Sequence, residues 1–433
     1  MAKLLFSLAL AFAGALVPMP AQENPLGVPE PFRAPSVHVG PLSGKSSQSP
    51  AFSIPVEPLG FAAPGQLYLG QRSSLVSLDF LDENRLLFTF RVPGLIHRAA
   101  QERDGGEYEE RQIRAVLLAL PAGTVEAEAL WTVHDRARYL WMLNDGRLLL
   151  RDRNQLEVGD ASLELKPFLR FSGPLLWLEM DPAQQFLVTD SREPAGAAQK
   201  PDEVPNHAVA EGMAMDAQTT GDADLMVRIL RRDTGQVLLV SRARSIVHLP
   251  INADGYLENQ RYRGEGWLMN LKYYSGGSRI FAVVESACPP LYDFLSQQAV
   301  LVTACATNGS GELVMVTTDG RRPWETPTSD ATIWPLIVKA PDGSRLARES
   351  LALTHAVIPG ASVDPSEIKW QSVQVFNVAD GKVALETSAS PILDAGGNVA
   401  ISPSGRRVAV LNAGAIQVFD LPSPPPLPAA PNR

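Results

Sequence analysis

Seven short stretches of this sequence share one pattern: an apolar strand, a polar turn and a second apolar strand returning from it. The clearest copy is C-terminal. Asn398-Val-Ala-Ile-Ser-Pro-Ser-Gly405 reads as a strand entering a turn, and Arg407-Val-Ala-Val-Leu-Asn412 returns. Gly414 turns again, and Ile416-Gln-Val-Phe-Asp420 is a third strand. The first turn recurs in looser form at Leu81-Asp-Glu-Asn-Arg85, Leu143-Asn-Asp-Gly-Arg147, Met180-Asp-Pro-Ala-Gln184, Asn252-Ala-Asp-Gly255, Ser296-Gln-Gln298 and Pro341-Asp-Gly-Ser-Arg345. The turns centre near 83, 145, 183, 254, 297, 342 and 404. Three insertions, about 97–110, 192–222 and 356–368, disturb the spacing. Without them the period is roughly 44 residues, the length of a four-stranded propeller blade.

The runs between turns are rich in Val, Leu, Ile and Phe, as in Arg85-Leu-Leu-Phe-Thr-Phe-Arg91 and Val373-Gln-Val-Phe-Asn-Val378. Such runs, five to eight residues long and bounded by Asp-Gly turns, predict strands joined by tight hairpins. Helical patterns are nearly absent. The expected fold is therefore all-β, a seven-bladed propeller of four-stranded antiparallel blades spanning 51–421. The competing arrangement is two packed β-sandwiches. The last blade offers only three strands before a proline-rich tail. Its outer strand is expected from Ala51-Phe-Ser-Ile-Pro-Val-Glu57, where Pro55 is tolerable only on an edge. Pairing the two ends closes the ring and removes exposed sheet edges.

Residues 1–21 read as a secretory leader: Lys3, an apolar run from Leu4 to Val17, then Pro18, Pro20 and a small residue, Ala21. Residues 22–50 form a Pro/Ser/Gly-rich tether, and 422–433 a Pro-rich tail without fixed structure. Export to the periplasm or beyond is expected, with no membrane insertion once the leader is removed. A formal net charge of -9 argues against nucleic acid as the main partner, since that demands a basic face.

The body resembles the broad WD40-like or YVTN-type group of bacterial seven-bladed β-propellers. The resemblance is carried by the Ser-Pro-Ser-Gly-Arg turn and the strands around it in the last blade. It implies the ring architecture, and it leaves function open because propellers host binding, scaffolding and catalysis alike.

Cys288 and Cys305 are the only cysteines. In an exported chain they are candidates for a disulfide. A hairpin of Leu291–Leu295 with Ala299–Thr303, centred between 296 and 297, sets Cys288 opposite Cys305, within bonding range. The six histidines show no ligand spacing. His134-Asp135 is a poor dyad because strand neighbours point to opposite faces, so each histidine is expected to be an ordinary surface or rim residue. Nucleophile elbows, phosphate loops and dinucleotide fingerprints are missing, so no catalytic residue, metal ligand or cofactor is predicted. The tryptophans are expected to pack between blades.

Each insertion falls between the second and third strands of its blade, which puts all three on one face. The expected function is a non-enzymatic binding module that presents that face to a protein or a small ligand. The alternative is a propeller enzyme, of hydrolase, lactonase or quinoprotein type, with its site at the central channel. That alternative requires convergent carboxylates or histidines. Asp79, Glu179 and Asp293 lie on or near first strands, but linear order does not say whether they meet.

Overall fold

The computed structural model describes residues 44, 46–63, 75–92, 97–98, 109–134, 138–192, 225–243, 245–305, 311–329, 331–356, 363–393 and 396–426. The predicted leader, His38, His207, most of the first two insertions and the centre of the third lie outside these residues. Seven antiparallel sheets follow one another along the chain. Blade 1 is built on Ser77–Asp82, Arg85–Arg91, Glu109–Ala119 and Thr124–Val133. Blade 2 contains Leu140–Met142, Leu148–Asp152, Gln155–Gly159 and Lys166–Arg170. Blade 3 contains Leu175–Met180, Phe186–Arg192, Leu225–Arg231 and Val237–Ala243.

Blade 4 has Gly255–Tyr262, Gly266–Tyr273 and Ser278–Glu285. Its inner strand is reduced to isolated bridging residues, one of them Ile251 opposite Tyr256. Blade 5 runs Leu291–Phe294, Ala299–Cys305, Gly311–Thr317 and Trp324–Pro327. Blade 6 runs Thr332–Lys339, Arg345–Leu353, Ile368–Asn377 and Val383–Ala389. Blade 7 takes Val399–Ile401, Arg407–Asn412 and Ala415–Asp420, and its fourth strand is Phe52–Pro55 from the other end of the chain. All seven predicted turns connect first strands to second strands.

Strand alternation explains why the blades stack. In blade 2, Leu148 and Leu150 enter a core shared with Leu87 and Ile113 of blade 1. Leu149, between them, enters a core shared with Leu178 and Leu187 of blade 3. The same division recurs around the ring. Val408 and Val410 pack on Val373 and Val375 of blade 6, while Ala409 and Leu411 join Leu86 and Phe88 of blade 1. Seven interblade cores result, the last one closing blade 7 on blade 1. Strands buried on both faces lose the polar alternation of a half-exposed sheet, which accounts for the near-continuous apolar runs.

The first turns reinforce this ring with hydrogen bonds between blades. The amide of Asn144 donates to Gln184 Oε1 (2.6 Å), that of Ala253 to Gln297 Oε1 (2.8 Å) and that of Ser404 to Glu83 Oε1 (2.6 Å). At the seam between blades 7 and 1, Gly397 has φ +94°, and a Cβ there would stand 2.0 Å from the Val76 carbonyl oxygen. Only glycine fits that approach.

Closure follows the expected strand, with Phe52 opposite Val418 and Pro55 opposite Ala415. Ile54 is buried there with Leu411 and Ile416. The disulfide also forms, with Cα atoms 5.5 Å apart, but the expected register is corrected. The hairpin turns on residue 297, so Leu291 faces Thr303 and Phe294 faces Val300. Pro289 and Pro290 delay the first strand until Leu291. Cys288 therefore lies on the connection from blade 4. That connection is tied to the end of the second strand by the Ala287 amide on the Cys305 carbonyl (2.9 Å) and the Cys305 amide on Ser286 Oγ (3.0 Å).

Two outcomes follow from this architecture. Ile54→Ala should lower unfolding stability in urea by about 2–4 kcal/mol, as for a buried aliphatic truncation, whereas exposed Ser53→Ala should have little effect. In blade 3, Arg192 and Leu225 are directly paired, so an Asn-Gly turn can replace 193–224. The melting temperature of that variant should stay within about 2 °C of the parent, because loop length costs little. Loss of cooperative melting would mean that the insertion is structural.

Candidate functional site

The first strands of a propeller line its channel, so their side chains face one another across the axis. Asp79, Glu179 and Asp293 occupy equivalent places in blades 1, 3 and 5, each opposite the third residue of its second strand, Leu87, Val188 and Leu301. Ligand atoms of Glu179 and Asp293 approach within 4.8 Å, and all three carboxylates lie within electrostatic range of Arg138. This residue precedes the first strand of blade 2, donates from Nε to the Leu140 carbonyl (3.2 Å) and lies over the Trp141 ring at 5.3 Å. Its guanidinium interacts electrostatically with Asp79, Asp293 and Glu179. Carboxylates from three alternate blades reach one cation only in the middle of the ring. Arg138 is exposed to water, but burial among the surrounding protein still lowers its pKa. It stands in a crowded, wet channel.

Blade 4 contributes His248. The weak inner strand of that blade is held instead by Asp190 of blade 3, whose Oδ2 accepts from the Val247 amide at 2.6 Å. Free of a regular ladder, His248 turns inward. Its Nδ1 lies 2.8 Å from Glu179 Oε2, its Nε2 is 2.6 Å from the Tyr292 carbonyl, and its ring meets Trp177 edge-on at 6.3 Å. A carbonyl only accepts, so Nε2 carries the hydrogen. Blade 6 contributes Lys339, which donates from Nζ to Asp293 Oδ1 (3.1 Å) and to the Phe294 carbonyl (3.4 Å).

The environment tunes these groups in opposite directions. Burial pushes Asp79 up to about 6, against a hydrogen bond from Ser77 and the charge of Arg138. Burial lifts Asp190 to about 8, against its bond from Val247, which keeps it protonated at neutral pH. Burial alone would lower His248, but the Glu179 carboxylate outweighs it, with Asp293 and the Tyr292 carbonyl adding to it, and raises the imidazolium to about 9. Burial would raise Asp293 too, yet Lys339, His248 and Arg138 hold it below the ordinary range. Three carboxylates, Asp79, Glu179 and Asp293, thus face three cations, Arg138, His248 and Lys339. The channel is highly charged and nearly neutral.

His248 corrects the expectation of an ordinary rim residue, being 9% exposed and ion-paired. Its partners are remote in sequence, so no local spacing marks it. Arg138 and Lys339 were missed for the same reason. His134 is also engaged, though away from this cluster: its Nδ1 lies 2.9 Å from Asp152 Oδ1 of blade 2. That contact clamps two blades and does not involve Asp135, which lies outside the described residues. Trp131 and Trp324 sit in interblade cores as expected.

A second buried polar network joins blades 6 and 7. Glu349, 1% exposed, accepts from Gln371 Nε2 at 2.8 Å, and Gln371 Oε1 accepts from Asn398 Nδ2 at 2.8 Å.

Fold and site together define a seven-bladed β-propeller with an ionisable cluster in its channel. No protein-family model matches the chain, and no curated protein matches it significantly. Solved structures are similar at low identity. The acylaminoacyl peptidase of Pyrococcus horikoshii is 11% identical, with a TM-score of 0.45 over 82% of this chain and 52% of that one. The β-propeller domain of the Trilobed protease from Pyrococcus furiosus is 12% identical, with a TM-score of 0.43 over 81% and 93%. TolB from Acinetobacter baumannii is 14% identical, with a TM-score of 0.35 over 75% and 73%. This chain spans about half the length of the Pyrococcus horikoshii peptidase. These are likenesses of fold alone.

Burial pushes Glu349 from an ordinary value of 4.5 up to about 8, against the hydrogen bond from Gln371. The folded state therefore holds this proton more tightly than the unfolded chain. Its contribution is complete below about 4.5 and declines as pH rises through about 8. The urea midpoint of the parent should fall between pH 5 and pH 8 by more than that of Glu349→Gln, which has no proton to lose. Equal falls in both proteins would refute the assignment.

Proposed function

We propose that this chain is an exported, non-enzymatic binding propeller that receives a small ligand bearing both signs of charge in its channel. The observation behind this reading is the electrostatic convergence on Arg138 of carboxylates from blades 1, 3 and 5. Lys339 already pairs with Asp293, and His248 with Glu179. A ligand with one charge would leave the partner of whichever group it engaged without its counter-charge. A zwitterionic ligand exchanges partners without that loss. Trp177, edge-on to His248, supplies an apolar surface beside these convergent polar groups.

Export rests on the leader-like residues 1–21 and on the disulfide. Among the described residues no helix is long and apolar enough to cross a membrane. The insertion-bearing face forms the entrance, and the channel behind it carries recognition.

A propeller enzyme working in the channel is the second reading, favoured by the imidazole beside Glu179, since hydrolytic chemistry uses such a base. Binding is preferred because Glu179 and Asp293 already engage His248 and Lys339 in ion pairs, an arrangement suited to recognising charge.

Thermal shift against free amino acids, dicarboxylates, polyamines and inorganic phosphate tests the binding reading. At least one zwitterion should raise the melting temperature; saturation at 100 times Kd corresponds to about 2.7 kcal/mol. Arg138→Ala should abolish the shift, and the variant with 193–224 replaced should keep it. No shift from any zwitterion, or a shift indifferent to Arg138→Ala, would overturn the proposal.

A further inference from the structure

We infer that Glu179, His248 and Asp293 form a binding site for one divalent transition-metal ion. They come from three consecutive blades, and one ligand atom of each lies within 4.8 Å of the others. Ligand atoms on a tetrahedral ion with bonds of about 2.0–2.1 Å stand roughly 3.3 Å apart, so small side-chain rotations close the set. Imidazole with two carboxylates suits Zn²⁺ or Mn²⁺ better than a soft ion.

The orientation of His248 is the independent observation. Its Nε2–H is committed to the Tyr292 carbonyl at 2.6 Å, which leaves Nδ1 as the atom facing the two carboxylates. Ligating histidines characteristically donate their other ring N–H to a carbonyl or carboxylate in this way. His248 is nine-tenths buried, and Nδ1 and Glu179 Oε2 are 2.8 Å apart but out of line, so neither completes a hydrogen bond. The two atoms thus hold each other by charge alone, with no hydrogen bond to either, and an ion bound between them and Asp293 would satisfy both. Asp190 supports the arrangement from behind by holding the Val247 amide.

Two cations compete for the same oxygens: Lys339 on Asp293 at 3.1 Å and Arg138 through its charge. An ion in the gap adds positive charge to a nearly neutral channel, and the ligand accepted there becomes one with an anionic end. In that respect the inference deepens the binding reading, although the metal site itself stands on the geometry of three side chains.

The test is titration of chelator-treated, dialysed full-length protein with Zn²⁺ and Mn²⁺ by calorimetry, and with Co²⁺ followed by its visible absorption. One equivalent should bind. Affinity should fall at least about tenfold in each of Glu179→Gln, Asp293→Asn and His248→Ala, and Lys339→Met should strengthen it. The two amide variants keep shape and hydrogen bonding, and near-UV circular dichroism checks that each is folded. His134→Ala, remote from the cluster, should bind as the parent does. Absence of saturable binding by all three ions would overturn the inference, and so would one-equivalent binding that survives all three ligand variants. Zwitterion shifts that persist in chelated protein would leave the binding reading standing when the metal site fails.

Discussion

The division of each blade's side chains between two neighbouring cores is the constraint on which the rest of the molecule depends. Leu148 and Leu150 belong to one interface and Leu149 to the next, so the main cores lie between blades and not within them. Each sheet is stable only when both neighbours are present. That makes closure obligatory: without the strand Phe52–Pro55, the seventh sheet would end in an open edge. The turns add directional bonds from blade to blade, but burial of apolar faces supplies the larger driving force.

The same geometry creates the charged channel. Once outer and middle strands are committed to interblade packing, the first strands alone face the axis. Polar side chains on them need not be buried in an apolar core. Glutamate, aspartate, arginine, lysine and histidine from separate blades can then approach as a group. Their proximity makes them interdependent. Lys339 holds Asp293 ionised, Glu179 keeps His248 charged, and Asp190 takes up its proton and supports the loop bearing His248. Blade 4 departs most from the regular pattern, with only isolated bridging at its inner edge, and it supplies the imidazole. A complete ladder there would have tied the backbone of this segment to its sheet.

Much of the architecture was legible because it is encoded locally. The seven turns, the strands on either side and the closing strand with Pro55 each depend on a few adjacent residues. The pairing of Cys288 with Cys305 was also legible, though the register through which it arises was not. Pro289 and Pro290 shift the start of the strand, an effect of local backbone restriction that symmetry about a hairpin centre does not include. The candidate site was half legible. Asp79, Glu179 and Asp293 stood out by position on first strands. His248, Arg138 and Lys339 carried no pattern, because their partners lie in other blades.

The sequence by itself determined the all-β class, the number of blades and the way the ring closes, since strand periodicity and turn chemistry act over neighbouring residues. Only the tertiary structure decided which charges meet. Contacts such as Lys339 with Asp293 and His248 with Glu179 join positions separated by whole blades. Their distances are set by the curvature of the closed ring, which no local run of residues contains.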